Sequence, residues 1–157
     1  MRRKDREITD YTQITAIMDA CDACRLGLCE NNTAYIVPLC FGYKLDADNH
    51  MTLYFHSASE GRKLDLIRQN SSVAFEMDTA HDLFDRDQTA CGYGMRYKSV
   101  MGTGTARLIT AKEEKLTAFR QIMAHYTSQD LPFSDAGLDA ATIIEVDVTS
   151  LSCKVHA

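Results

Sequence analysis

A mainly β (α+β) fold, in which a small antiparallel barrel carries packed helices, is predicted by this 157-residue sequence. Segments of two-residue alternation outnumber helical patterns. The connections between them are short and rich in turn residues. The helical patterns are short or lie near the ends of the chain, which disfavours a parallel α/β sheet.

The elements follow in order. A charged arm, Met1 to Glu7, leads into a helical pattern over Tyr11–Ala20, with Ile14, Ile17 and Met18 on one face and Thr9 or Asp10 as its cap. A short strand at Arg25–Cys29 turns at Glu30-Asn31-Asn32. The run Ala34–Tyr43 is β-branched and aromatic, hence one strand, and Pro38 gives it an edge, a bulge or a bend because proline cannot donate to a ladder. Asp46–Asn49 reads as a hairpin turn into a strand at Met51–Phe55, followed by a short helix at Leu64–Arg68. Val73, Phe75 and Met77 alternate with polar residues as a half-buried strand. Thr79–Met95 is polar and glycine-bearing, which predicts a long surface loop. A strand returns at Arg96–Leu108, with Gly102 and Gly104 marking a bulge or corner. Thr110–Glu113 forms a capping box for a helix whose Leu116, Phe119, Ile122, Met123 and Tyr126 share a face. Ile144, Val146 and Val148 define the last strand.

With 45% apolar and 25% charged residues, the chain suits one domain over residues 1–157. A net charge of -5 argues against nucleic-acid or anionic-membrane binding, though not against a local basic pocket. The charged N-terminus offers no signal peptide and no apolar run reaches membrane-span length, so a cytoplasmic location is expected. Six cysteines in a reducing compartment are expected to stay thiols. Cys21-x-x-Cys24 has metal-site spacing but no second pair, so both read as small buried hydrophobes and no metal is expected. No histidines pair at metal-ligand spacing, and no nucleophile elbow or P-loop occurs.

The chemically distinctive segment is His56-Ser57-Ala58-Ser59-Glu60-Gly61-Arg62-Lys63-Leu64. It joins a strand to a helix and gathers hydroxyls, a glycine and two cations at a helix N-terminus, which suits a phosphate monoester. Ser57-x-x-Glu60 also fits an ordinary capping box.

That segment continues through Asp65-Leu66-Ile67, Asn70 and Val73–Glu76. In this order it resembles the FMN-binding split-barrel superfamily of pyridoxamine 5′-phosphate oxidases. Tyr35–Phe41 is similar to the strand that lines the flavin there, and Arg96–Gly104 to the later strand that closes the site. The charged arm and following helix resemble the nitroimidazole-resistance-type (Nim) branch.

The resemblance implies a six-stranded split barrel and a homodimer with FMN at the subunit interface. It puts Arg62 and Lys63 on the FMN phosphate, assisted by Ser57 and Ser99, with Pro38, Leu39 and Cys40 along the ring. Phe55 and His56 would sit near the ribityl chain or ring, and Glu76 and Tyr97 would reach the flavin from a neighbouring strand or the partner subunit. His56 is the one candidate catalytic acid–base group. The chain lacks Trp and lacks the C-terminal Arg/His substrate set of a true pyridoxamine phosphate oxidase, which argues against that reaction. The implied function is an FMN-dependent oxidoreductase that reduces a small-molecule electron acceptor such as a nitroaromatic. The alternatives are a non-catalytic flavin-binding electron carrier, or a related barrel that binds haem or deazaflavin.

Overall fold

The computed structural model describes residues 2–157, so Met1 of the charged arm lies outside the described residues. After a 3-10 turn at Lys4–Arg6 come β1 (Glu7–Ile8), α1 (Tyr11–Asp19), β2 (Cys24–Glu30), β3 (Thr33–Leu39), β4 (Phe41–Leu45), β5 (Met51–Ala58) and α2 (Arg62–Gln69). They are followed by β6 (Ser72–Asp85), β7 (Tyr93–Ile109), α3 (Lys112–Tyr126), α4 (Asp135–Ala140) and β8 (Ala141–His156). The fold is an antiparallel split barrel with short helices, as expected, but the sheet has eight strands rather than six.

Strand order is β3-β2-β6-β7-β8-β5-β4, with β1 paired to β8. The strands β3 and β4 therefore occupy the two edges of the path, yet only Cys40 separates them in sequence. Adjacent Cα atoms are about 3.8 Å apart, so the edges must meet at this residue, and the sheet curls round to a seam there. The uninterrupted apolar run 34–43 concealed this break. Pro38 lies on edge strand β3, which tolerates its missing donor.

Alternation places Leu26, Leu53, Phe55, Val73, Phe75, Met77, Val100, Ile144 and Val146 inside the barrel, with Val148 at its margin. Ile14, Ile17 and Met18 of α1 and Leu64, Leu66 and Ile67 of α2 complete this core. Asp10 caps α1 by accepting from the Thr12 N–H at 2.8 Å. A smaller cluster outside the barrel joins Tyr54, Ile109 and Ile143 to Ala118 and Ile122 of α3. The side of α3 that is buried thus carries Lys115, Ala118 and Ile122, while Tyr126 is exposed.

Three further expectations are corrected. Residues 79–95 are not a loop: β6 and β7 run on as a two-stranded ribbon, Asp82 to Arg96 and Asp85 to Tyr93, beyond a register shift at Thr79/Asp82. Both ribbon faces meet solvent, so its sequence is polar like a loop's. Neither capping box forms: the N-cap positions of α2 and α3 are Gly61 and Ala111, each without a side-chain cap bond. The six-residue helix α4 carries no apolar periodicity that would have revealed it. The expected corner in β7 is present as a register shift at Thr103/Gly104.

The structure buries Cys21 and Cys24, and burial pushes both thiols up to about 12. Both therefore remain protonated at neutral pH and pack as small hydrophobes.

Candidate functional site

The β5–α2 junction lies where the seam closes. Phe41 pairs with Phe55, so Cys40, one residue before Phe41, lies level with His56, one residue after Phe55. The seam segment Pro38–Cys40 and the junction His56–Lys63 thus share one end of the strands. Pro38 and Cys40 are exposed and Leu39 is partly buried against the core.

Along β5 the alternation that sends Leu53 and Phe55 inward carries Ser57 to the same side and His56 to the other. Phe55 is fully buried among core side chains. His56 is exposed on the α3 side, its ring centroid 6.1 Å from that of Phe119. Its imidazole makes no side-chain hydrogen bond among the described residues, so both ring nitrogens are available.

Ser57 is 5% exposed and its Oγ is buried with no hydrogen-bond partner among the described residues. A buried unpaired hydroxyl is costly and rare, so such a group marks where a polar ligand would be accommodated. Ahead of it the chain reaches Gly61 at φ 129 and ψ 162, a conformation open to glycine alone. Nothing lies within 4 Å of where a Gly61 Cβ would stand, leaving open space before the helix. The first backbone donors of α2 that bond back are Leu64 and Asp65, both to the Gly61 carbonyl. The N–H groups of Arg62 and Lys63 have no such acceptor among the described residues and are available to an anion.

Arg62 lies with its guanidinium carbon 4.6 Å from the Tyr35 ring centroid, a cation–π arrangement. Its Nη2 donates to Glu30 Oε2 at 2.5 Å. Lys63 is half-buried and has no ion-pair partner among the described residues. The junction thus carries an uncapped helix end, a buried unpaired hydroxyl and two cations, groups whose charge and donor chemistry suit a phosphate monoester.

The remaining candidates lie elsewhere, on the outer face of the barrel. Glu76 accepts from Arg25 at 3.0 Å, and Arg25 also binds Asp78 at 2.6 Å. Ser99 is 9% exposed and registers with Asp78 and Lys154. Tyr97 lies beneath the Lys154 ammonium, 5.3 Å from its ring centroid, and the Lys154 cation, reinforced by Arg6, holds its phenol below the usual range. Within one chain, Glu76, Tyr97 and Ser99 thus face away from the side on which Ser57 lies.

Sequence reasoning missed Glu30 as the partner of Arg62, because 32 residues separate them and only the β2–β3 hairpin brings the carboxylate to the helix. The one available signal was the Asn31-Asn32 turn, which fixes Glu30 at a strand end.

Comparison with known proteins identifies the family. The profile of the family described as "Pyridoxamine 5′-phosphate oxidase" matches residues 10–155. A crystal structure from Bacteroides thetaiotaomicron VPI-5482, assigned provisionally to 5-nitroimidazole antibiotic resistance, is 33% identical, covering 95% of this chain and 86% of that one at a TM-score of 0.81. The flavocytochrome Anf3 from Azotobacter vinelandii shares the fold at 20% identity, covering 100% and 72% at a TM-score of 0.83. An FAD-binding protein from Mesorhizobium loti does so at 21% identity, covering 97% and 98% at 0.66. No match is found among curated proteins. The chain therefore belongs to the pyridoxamine 5′-phosphate oxidase-like split-barrel family, in its nitroimidazole-resistance-like branch.

Proposed function

We propose that this protein binds a flavin, FMN in particular, and reduces a small-molecule electron acceptor of the nitroaromatic class. The observation that carries the proposal is the orphan Ser57 hydroxyl in the same junction as the uncapped N-terminus of α2, with Arg62 and Lys63 on the first turn of that helix. Arg62 would offer its planar fork to the phosphate and Lys63 a point charge, while Ser57 would donate its hydroxyl. Pro38, Leu39 and Cys40 would line the ring, with main-chain groups of edge strand β3 available to its polar rim.

When bound, the flavin supplies hydride and electron transfer, and the polypeptide positions and tunes it. His56, level with the seam and with both ring nitrogens available, is placed to give or take a proton at the end of β5. Phe119 stands beside its ring, the two centroids 6.1 Å apart.

The outer-face positions of Glu76, Tyr97 and Ser99 support a homodimer in which these residues serve the partner's flavin. Flavin- and FAD-binding proteins among the structural relatives favour a flavin cofactor over none. Among the described residues no helix is long and apolar enough to cross a membrane. The proposed setting is the cytoplasm.

Purified protein supplied with FMN should show a flavin spectrum with maxima shifted from those of the free cofactor. Alanine at both Arg62 and Lys63 should remove that binding. An unshifted spectrum, or FMN affinity that survives both replacements, refutes the phosphate assignment. Anaerobic reduction followed by an acceptor panel separates an enzyme, with saturable turnover, from an electron carrier.

A further inference from the structure

The two cations of the junction are treated differently by the fold. Lys63 has no ion-pair partner among the described residues, whereas Arg62 is already engaged by a carboxylate of its own chain. We propose that Glu30 is a built-in competitor for the cofactor phosphate: its carboxylate occupies Arg62 and must yield, at a cost, when a phosphorylated flavin binds. This inference rests on the phosphate assignment above.

Two features make the contact a constructed one. Glu30 ends β2, and the next two residues, Asn31 and Asn32, take left-handed φ values of 48 and 64, as a two-residue hairpin turn requires. The register opposite Thr33 is thereby fixed, so the Glu30 backbone is anchored at a strand end and not on a loose loop. From the other strand of the same hairpin, Tyr35 packs on the core and holds the guanidinium over its ring. The hairpin thus supplies both the surface that orients Arg62 and the anion that neutralises it.

The consequence is selective. A phosphate monoester carries between one and two negative charges near neutral pH and outcompetes a single carboxylate for the fork. Breaking the Glu30–Arg62 pair subtracts from the affinity of any ligand that uses Arg62. It subtracts nothing from riboflavin, which has the ring and the ribityl chain but no phosphate. Glu30 therefore acts as a positioning residue: it keeps Arg62 extended over Tyr35 before the phosphate arrives and lowers the affinity of the phosphate when it does.

The test titrates FMN and riboflavin, by quenching of flavin fluorescence, into the wild-type protein and Glu30→Gln. FMN should bind about two- to fivefold more tightly to the variant, the range expected from releasing an exposed ion pair. Riboflavin affinity should stay the same, and in an Arg62→Gln background the gain should vanish. Glu30→Asp, which keeps the charge but shortens its reach, should shift FMN in the same direction and serves if the glutamine variant folds poorly. The proposal is overturned if FMN affinity in Glu30→Gln is unchanged or weaker, or if riboflavin shifts by the same factor. Wild-type protein that binds neither FMN nor inorganic phosphate overturns the phosphate assignment itself, a result distinct from an unchanged FMN-to-riboflavin ratio.

Discussion

Replacing Ser57 with Ala should move stability and ligand affinity in opposite directions, which few substitutions do. In the ligand-free protein the Ser57 hydroxyl is buried without a partner. Such a group costs about 1–3 kcal/mol relative to an apolar one of similar shape. Alanine removes that cost and leaves only a void the size of one oxygen. For a domain of this length each kcal/mol corresponds to about 2–4 °C in Tm, so the ligand-free variant should melt a few degrees higher. Toward FMN the sign reverses. A hydrogen bond to a charged group is worth about 1.5–3 kcal/mol, so affinity should fall about 10- to 100-fold. Thermal melts of stripped protein and a fluorescence titration with FMN read the two effects separately. A lower melting point together with unchanged FMN affinity would refute the reasoning, since it would make Ser57 an ordinary packed serine with no part in the proposed phosphate site.

Gly42→Ala should destabilise the fold by roughly 1–3 kcal/mol or more, because its Cβ would stand 2.4–2.5 Å from backbone atoms of Gln121 and Ile122, and β4 cannot approach α3 so closely with a side chain present. Chemical denaturation measures this, and unchanged stability would mean that α3 is not held there. Lys115, 7% exposed, donates to the carbonyls of Leu138 and Ala141 at 2.7 Å each, and so closes the C-terminal end of α4. Lys115→Met should cost about 1–3 kcal/mol by leaving both acceptors unpaired, read as a lower Tm. Alkylation of native protein followed by mass spectrometry should label Cys29, Cys40 and Cys91 first and spare Cys21, Cys24 and Cys153, a pattern that burial dictates. Because the Cys21 and Cys24 pKa values are raised from 9.0 to about 12 in the fold, the unfolded chain releases these protons first as the pH climbs above 9. Their contribution to stability is complete below pH 9 and is lost between about pH 9 and 12, so Cys21→Ala with Cys24→Ala should flatten the alkaline decline of Tm.

Alternation was readable wherever one face of a strand is buried. Val73, Phe75 and Met77, like Ile144, Val146 and Val148, lie inside as their spacing implied. The same signal failed in the ribbon at Asp82–Arg96, where exposed Leu83, Tyr93 and Met95 interrupt a polar pattern and no core selects a face. It failed differently at Cys40: an unbroken apolar run hides a change of sheet edge, because apolar character records burial and not partner. At the junction, the cations, the glycine and the Ser57 hydroxyl were legible as chemistry, but Ser57 fitted a helix cap equally well. Its place is set by the continuing alternation of β5, which a helix-capping pattern had masked. Glu30 was invisible to any local pattern, since only tertiary closure brings it to Arg62.

The seam gives a physical reason why this barrel is split. A fully paired barrel satisfies every backbone donor and acceptor along its strands and offers none to a ligand. Here, among the described residues, β3 pairs with β2 on one side only, and no ladder joins it to β4. The main-chain groups along the free side of β3 are left unpaired beside Cys40, at the level of His56. On the proposed reading, these are the groups that would meet the polar rim of the flavin ring, while the junction one turn away holds its phosphate. Pro38, which has no N–H to contribute, fits an edge whose remaining donors are kept for a ligand and not for another strand. The same proline keeps the exposed edge from extending the sheet. Both the cofactor surface and the protection of the edge then follow from one structural choice, a sheet whose two margins meet at a single residue without pairing.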